Sequence, residues 1–249
     1  MKYSFIVDWL KKYSEEANGK TFVIGVSGGI DSALTSTLCA ETGINTYVVS
    51  LPIKQGGEEL KRAEGHIEWL VNKYDNVTPL QFDLENTYSE FAKLFETENN
   101  LALANSRSRL RMTTLYHIAS LVNGLVVGTG NKVEDFGVGF YTKYGDGGVD
   151  IAPIADLMKS EVKEAACEYG LLLEIINAAP TDGLWDDGRT DEDQIGATYD
   201  ELEWAMTFGG DKRKLKKRQK AVLEIFYGFQ HQNKHKMIPI PVCENIKDV

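Results

Sequence analysis

Cysteine, histidine and proline are all scarce in this chain of 249 residues, which holds three, four and six of them. Cys39, Cys167 and Cys243 form an odd set without a Cys-x-x-Cys pair, so neither a disulfide framework nor a zinc ribbon is supported. No stretch approaches the roughly 18 consecutive apolar residues of a membrane span. Residues 1–20 mix Lys and Glu throughout and lack the apolar region of a signal peptide, so a cytoplasmic location is expected. Positive charge is also short: 27 Lys and Arg against 37 Asp and Glu leave a formal net charge of −10. Coating a nucleic acid or an anionic membrane takes a basic surplus, and this chain has none. A small anionic substrate in a local basic pocket stays compatible with that balance.

What is present describes a globular α/β protein. At 43% hydrophobic and 26% charged residues the chain can bury a full-sized core, and its length suits one medium domain. Phe5, Ile6, Trp9, Leu10 and Tyr13 recur at helical spacing, predicting an amphipathic helix within 1–20. Short apolar runs at 21–26, 46–51, 77–82 and 124–128 read as strands, the third limited by Pro79 to an edge or an irregular start. Helical periodicity fills 32–42, 58–74 and 105–122 between them. This alternation predicts a single doubly wound, mainly parallel sheet flanked by helices, whose ligands sit at the carboxyl ends of the strands. An acidic, glycine-bearing run at 181–193 reads as an exposed loop, and a basic run occupies 211–220.

The most informative segment follows the first strand: Gly25-Val26-Ser27-Gly28-Gly29-Ile30-Asp31-Ser32. Paired glycines let the backbone turn sharply and approach a ligand closely, and two serines add hydroxyl donors. The following helix contributes unpaired N–H groups and a positive dipole end, so the whole is a phosphate cradle. It is neither a Walker A loop, which needs Lys where Asp31 stands, nor the GxGxxG dinucleotide fingerprint. An acid inside a phosphate loop calls for a bridging cation, and magnesium fits because it takes one or two carboxylates together with phosphate oxygens.

Ser27-Gly28-Gly29-Ile30-Asp31-Ser32 resembles the SGGxDS loop of the ATP pyrophosphatases. Further segments narrow that resemblance to the NAD synthetase family. They are Gly128-Thr129-Gly130-Asn131-Lys132-Val133-Glu134, the stretch from Gly139 through Phe140-Tyr141-Thr142-Lys143-Tyr144-Gly145-Asp146-Gly147-Gly148, and the Asn105-x-x-x-Arg109-x-Arg111-Met112 motif. Ala179-Pro180-Thr181, Asp186-Asp187 and His235-Lys236 match later family motifs. The resemblance implies an adenine nucleotide alpha-hydrolase-like fold and one synthetase domain over 1–249. It also implies a ligase reaction in which ATP adenylates nicotinic acid adenine dinucleotide (deamido-NAD) and ammonia displaces AMP.

Carried over position by position, the resemblance assigns ATP contacts to Gly25, Val26, Ser27, Gly28, Gly29, Ile30, Asp31, Ser32, Thr129, Lys159 and Thr181. Asp31 and Glu134 become magnesium ligands, and with Lys159 the catalytic set. Arg109, Lys143, Asp150, His235 and Lys236 become contacts to deamido-NAD. A homodimer is the family expectation, and 181–220 is read as lid segments over the nucleotide.

Two departures stand out. Many bacterial members carry Arg before the Leu-Pro that ends the second strand, whereas Ser50 precedes Leu51-Pro52 here, so that ATP contact is missing or supplied from elsewhere. Where many members read Gly-Thr-Asp-His-Ala-Ala-Glu, this chain has Gly128-Thr129-Gly130-Asn131-Lys132-Val133-Glu134, so the Glu keeps its spacing but no role of that Asp or His transfers. The chain length leaves only a helix before the sheet and no room for a nitrilase-type glutaminase, so free ammonia is the expected donor, a separate glutaminase partner being the other source. Competing readings are another SGGxDS enzyme of tRNA thiolation or amidation, a non-catalytic ATP-binding regulatory module, and an inactive scaffold homologue.

Overall fold

Strand β1 (Thr21–Gly25) is buried on both sides because alternate side chains serve different cores. Phe22 and Ile24, with Val48, pack against helices on one face, while Val23, with Val49 and Val126, packs on the other. The computed structural model describes residues 1–54, 57–95, 99–181 and 190–243. Within them β1, β2 (Thr46–Ser50), β3 (Val77–Gln81) and β4 (Gly124–Val126) form one all-parallel sheet of order β3-β2-β1-β4. Pro79 lies on β3 at the sheet edge, the place its missing N–H allows. The doubly wound reading therefore holds.

The first face is covered by α1 (Ser4–Glu16), α2 (Ile30–Glu41), α3 (Gly57–Lys73) and α6 (Lys159–Glu168), together with the short α7 (Leu173–Ile176). Helix α4 (Glu85–Ala92) precedes α5 (Asn100–Val122), and α5 packs across β1 and β4 on the opposite face. A separate apolar cluster joins α9 (Tyr199–Thr207) and α10 (Lys217–Met237) to a π-helical turn, Val133–Val138, through Val133, Leu202 and Phe226. Because β4 lies on the other side of β1 from β2, the strand order reverses between β1 and β4. The loops leaving those two strands diverge there and open a crevice at the carboxyl edge.

The structure corrects two boundaries. Helix α5 starts at Asn100, earlier than periodicity suggested, because Asn99 accepts a hydrogen bond from the Ala102 N–H and caps it. The run read as an exposed loop contains helix α8 (Asp191–Ile195), whose Asp191 is buried. Thr190 and Asp193 bond each other's backbone N–H reciprocally, a capping box inside an acidic composition that reads as coil. The basic run forms a 3-10 turn, Lys212–Lys214, and the start of α10. Residues 182–189, with Asp182, Asp186 and Asp187 of the expected lid, lie outside the described residues. Among the described residues no helix is long and apolar enough to cross a membrane.

His66 on α3 is fully buried against α2, its Nε2 lying 2.9 Å from the Ser36 hydroxyl and its ring stacked on Trp69. Burial pushes its pKa down from 6.5 to about 4. The unfolded chain thus binds a proton that the folded one refuses, and stability falls as pH drops from about 6.5 to about 4. Urea midpoints of His66→Gln should fall less steeply over that window than those of the parent; equal slopes would contradict the buried neutral imidazole.

Candidate active site

The loop after β1 is shaped by its own serines. The Ser27 N–H donates to Ser32 Oγ (3.2 Å), Ser32 Oγ donates to the Gly29 carbonyl (3.0 Å), and the Gly29 N–H donates to Ser27 Oγ (3.3 Å). Gly28 adopts φ 91°, and a Cβ there would collide with the Glu59 carbonyl and the Ala63 N–H of α3. Helix α2 then begins without a side-chain cap, leaving the N–H groups and positive dipole of its first turn facing the crevice.

Asp31, in that first turn, meets residues from two other elements. Lys159, the first residue of α6, places its Nζ 2.5 Å from Asp31 Oδ2 and 3.0 Å from Glu134 Oε1. Glu134 sits on the π-helical turn after β4, and π-turns commonly mark functional positions. All three side chains are at most 17% exposed. Asn131 fastens the group: its Nδ2 donates to Asp31 Oδ1 (3.1 Å), and its Oδ1 accepts the Val133 and Glu134 N–H groups. The Tyr199 hydroxyl donates to Glu134 Oε1 (2.6 Å) and lies 3.2 Å from Asp191 Oδ2.

Shared charge sets the ionisation of this group. Burial pushes Asp31 up, and the second carboxylate adds to that against the pull of Lys159, so Asp31 rests above its ordinary pKa. Burial acts on Glu134 in the same sense, but Lys159 and the Tyr199 hydroxyl outweigh it and hold Glu134 below the usual range. Burial disfavours the Lys159 ammonium, yet its two carboxylates win and keep it charged. Asp135, next along the π-turn, is lifted to about 7 by burial and by the charges of Glu134, Asp146 and Asp31.

These groups line one cavity of about 520 Å³ at the sheet's carboxyl edge. The loop 25–32 contributes all its residues but Gly28, and Thr129, Glu134, Lys159, Thr181 and Lys236 join it. Thr181 is tied to α3 by its hydroxyl, 2.5 Å from Glu59 Oε1. The other residues read as dinucleotide contacts are not in the cavity wall. Arg109 donates through Nε to the Lys143 carbonyl (3.2 Å), and Lys143 Nζ donates to the His235 carbonyl (2.8 Å), so those three form a chain outside it. Asp150 accepts from the Tyr116 hydroxyl (3.0 Å) and the Val126 N–H (2.8 Å). The glycine-rich segment 139–148 is pinned to α5 by Asp146, which accepts from Ser108 Oγ (2.6 Å) and the Thr142 N–H (3.0 Å).

Sequence reading gave no role to Asn131, Tyr199, Arg62 or Arg111, although all but Asn131 and Tyr199 line the cavity directly. Asn131 and Arg111 stood inside quoted motifs, whereas nothing local marks Tyr199 or Arg62. Among the described residues no three His, Cys, Asp or Glu side chains converge on a metal position. Magnesium does not need three, because two carboxylates plus phosphate oxygens suffice, and Asp31 and Glu134 already share one cation.

A parallel sheet with a serine-glycine loop and a helix N-terminus at its switch point defines a nucleotide-binding α/β protein. More narrowly, the chain belongs to the NAD synthase family, whose model matches residues 2–237. A protein of Mesoplasma florum named NH(3)-dependent NAD(+) synthetase is 40% identical, covering 80% of this chain and 81% of its own length. One of the same name from Alkaliphilus metalliredigens is 36% identical over 97% of this chain and 98% of its own. A solved structure of NMN synthetase from Francisella tularensis superposes with a TM-score of 0.87 at 32% identity, covering 98% of both chains.

The shared ammonium has a measurable consequence. Lys159→Ala leaves two buried carboxylates facing each other and should cost the metal-free protein about 3 kcal/mol. Magnesium should recover more of that loss than it adds to the parent, read from thermal melts in EDTA and in magnesium. A variant melting like the parent in EDTA would refute the shared-cation geometry.

Proposed function

We propose that this chain makes NAD from deamido-NAD, ATP and free ammonia, releasing AMP and pyrophosphate. The observation that carries this reading is the convergence of the 25–32 loop, Asp31, Glu134 and Lys159 on one cavity, in a chain whose relatives share the NH(3)-dependent name. The substrate carboxylate forms a bond to the α-phosphorus as the bond to the bridging oxygen breaks. Ammonia then adds to the acyl carbon of the adenylate, and AMP leaves. Such transfer depends on positioning and on stabilising charge.

In this reading the first-turn N–H groups of α2, with Ser27 and Ser32, receive the departing phosphates. Asp31 and Glu134 are the side chains that hold magnesium, which when bound supplies positive charge to the phosphate oxygens. Lys159 is placed to follow the negative charge as it moves onto the leaving group. Thr129 and Thr181 border the nucleotide. Arg109, Lys143, Asp150, His235 and Lys236 serve the nicotinate nucleotide, with Arg and Lys suited to its phosphates and carboxylate. The protein works in the cytoplasm as a single domain over 1–249.

A second reading is favoured by the likeness to the Francisella NMN synthetase. In that reading this chain takes the mononucleotide acid, which lacks the adenylyl half, through the same acid-to-amide chemistry. Purified protein given ATP, magnesium and ammonium with either acid separates the two. NAD formation with equimolar AMP and pyrophosphate is expected; amidation of the mononucleotide alone would move the assignment to the second reading. Release of ADP, or no amide from either acid, would overturn both.

We also propose a homodimer. Phe91, Leu94 and Phe95 on and after α4, with Leu101 and Leu121 on α5, are large apolar side chains left exposed, and a second copy would cover them. Sedimentation at micromolar concentration should give twice the monomer mass, and a persistent monomer would contradict this.

A further inference from the structure

Four cationic side chains line the described wall of the cavity: Arg62, Arg111, Lys159 and Lys236. Two of them are engaged. Lys159 lies between Asp31 and Glu134, and Lys236 donates to the Tyr141 carbonyl at 2.7 Å. The two arginines are held differently. Arg62 on α3 donates through Nε to the Gly28 carbonyl (3.2 Å), and Arg111 on α5 donates through Nε to the Leu51 carbonyl (3.0 Å).

Those two carbonyls belong to the loops leaving β1 and β2, neighbouring strands of the sheet. Helices α3 and α5 cover opposite faces, so the guanidinium groups converge on the carboxyl edge from both sides. Anchoring through Nε fixes each planar fork and leaves its two terminal nitrogens to donate elsewhere. Among the described residues neither arginine makes an ion pair, although Glu59 lies on the same helix as Arg62. The Glu59 carboxylate accepts the Thr181 hydroxyl instead. Burial lowers the Arg111 pKa to about 10, which still leaves it charged at neutral pH.

The loop between them has no lysine, and β2 ends at Ser50, a buried hydroxyl that brings no charge to the rim. A phosphate chain seated on the α2 N-terminus would therefore meet backbone dipoles below and two unpaired forks at its flanks. Guanidinium forks match phosphate oxygens bidentately, which a point charge cannot do. We propose that Arg62 and Arg111 clamp the phosphate chain of ATP from the two faces of the sheet and retain the pyrophosphate as it departs. This assignment rests on the reading of the cavity as the ATP site.

Inorganic pyrophosphate in magnesium buffer is the direct probe, titrated calorimetrically into the full chain. The parent should bind it, and Arg62→Gln and Arg111→Gln should each weaken binding at least tenfold, with Arg62→Lys and Arg111→Lys recovering part. Steady-state KM for ATP should rise in the same order, while KM for the nicotinate nucleotide and for ammonium stays put. Melting curves matching the parent's show that the variants are folded. If the parent binds no pyrophosphate, the ATP reading of the cavity fails. If it binds and the Gln variants bind equally well, the clamp fails while that reading stands. A rise confined to the nucleotide KM would likewise overturn the clamp, because the arginines would then serve the other substrate.

Discussion

The structure turns on one ammonium held between two carboxylates. Lys159 lies within hydrogen-bond distance of both Asp31 and Glu134, at most 17% of each side chain is exposed, and the three come from the α2 start, the turn after β4 and the α6 start. Two acids this close repel each other, and burial alone would protonate them; a cation between them makes the arrangement tenable. Asn131 completes it by meeting the other Asp31 oxygen, and the Tyr199 hydroxyl joins Lys159 on Glu134 Oε1.

The rest of the fold serves that meeting. The reversal of strand order between β1 and β4 separates two loops at one edge, and the 25–32 loop, Glu134 and Lys159 line the crevice they leave. Gly28 lets α3 lie directly against the 25–32 loop, which brings Arg62 to the rim and ties Glu59 to Thr181. On the other face α5 carries Arg111 to the end of β2 and pins the 139–148 segment through Ser108 and Asp146. The apolar cluster of α9 and α10 sets Tyr199 beside Glu134.

Much of this was legible in order along the chain, because the signals are local. Strand hydrophobicity, the edge role of Pro79 and the serine-glycine loop before α2 each depend on a few adjacent residues, and the structure has them where they were read. The α8 helix was missed because its capping box lies within an acidic stretch whose composition reads as coil. Arg109, Lys143 and His235, which the resemblance assigns to the dinucleotide, are linked through one another's backbone and lie outside the cavity wall, an arrangement no motif spacing announces. Tyr199 and Arg62 carry no local mark, since what distinguishes them is a partner far away in sequence: Glu134 is 65 residues from Tyr199, and Gly28 is 34 from Arg62.

By itself the sequence determined the α/β class, the serine-glycine loop before α2 and the family resemblance, because backbone preference and motif spacing act over short distances. Tertiary structure alone decided that Lys159 bridges Asp31 and Glu134, and that two arginines reach the same rim from opposite faces of the sheet. Ion pairing and burial are properties of proximity in space, and only the folded sheet brings these residues together.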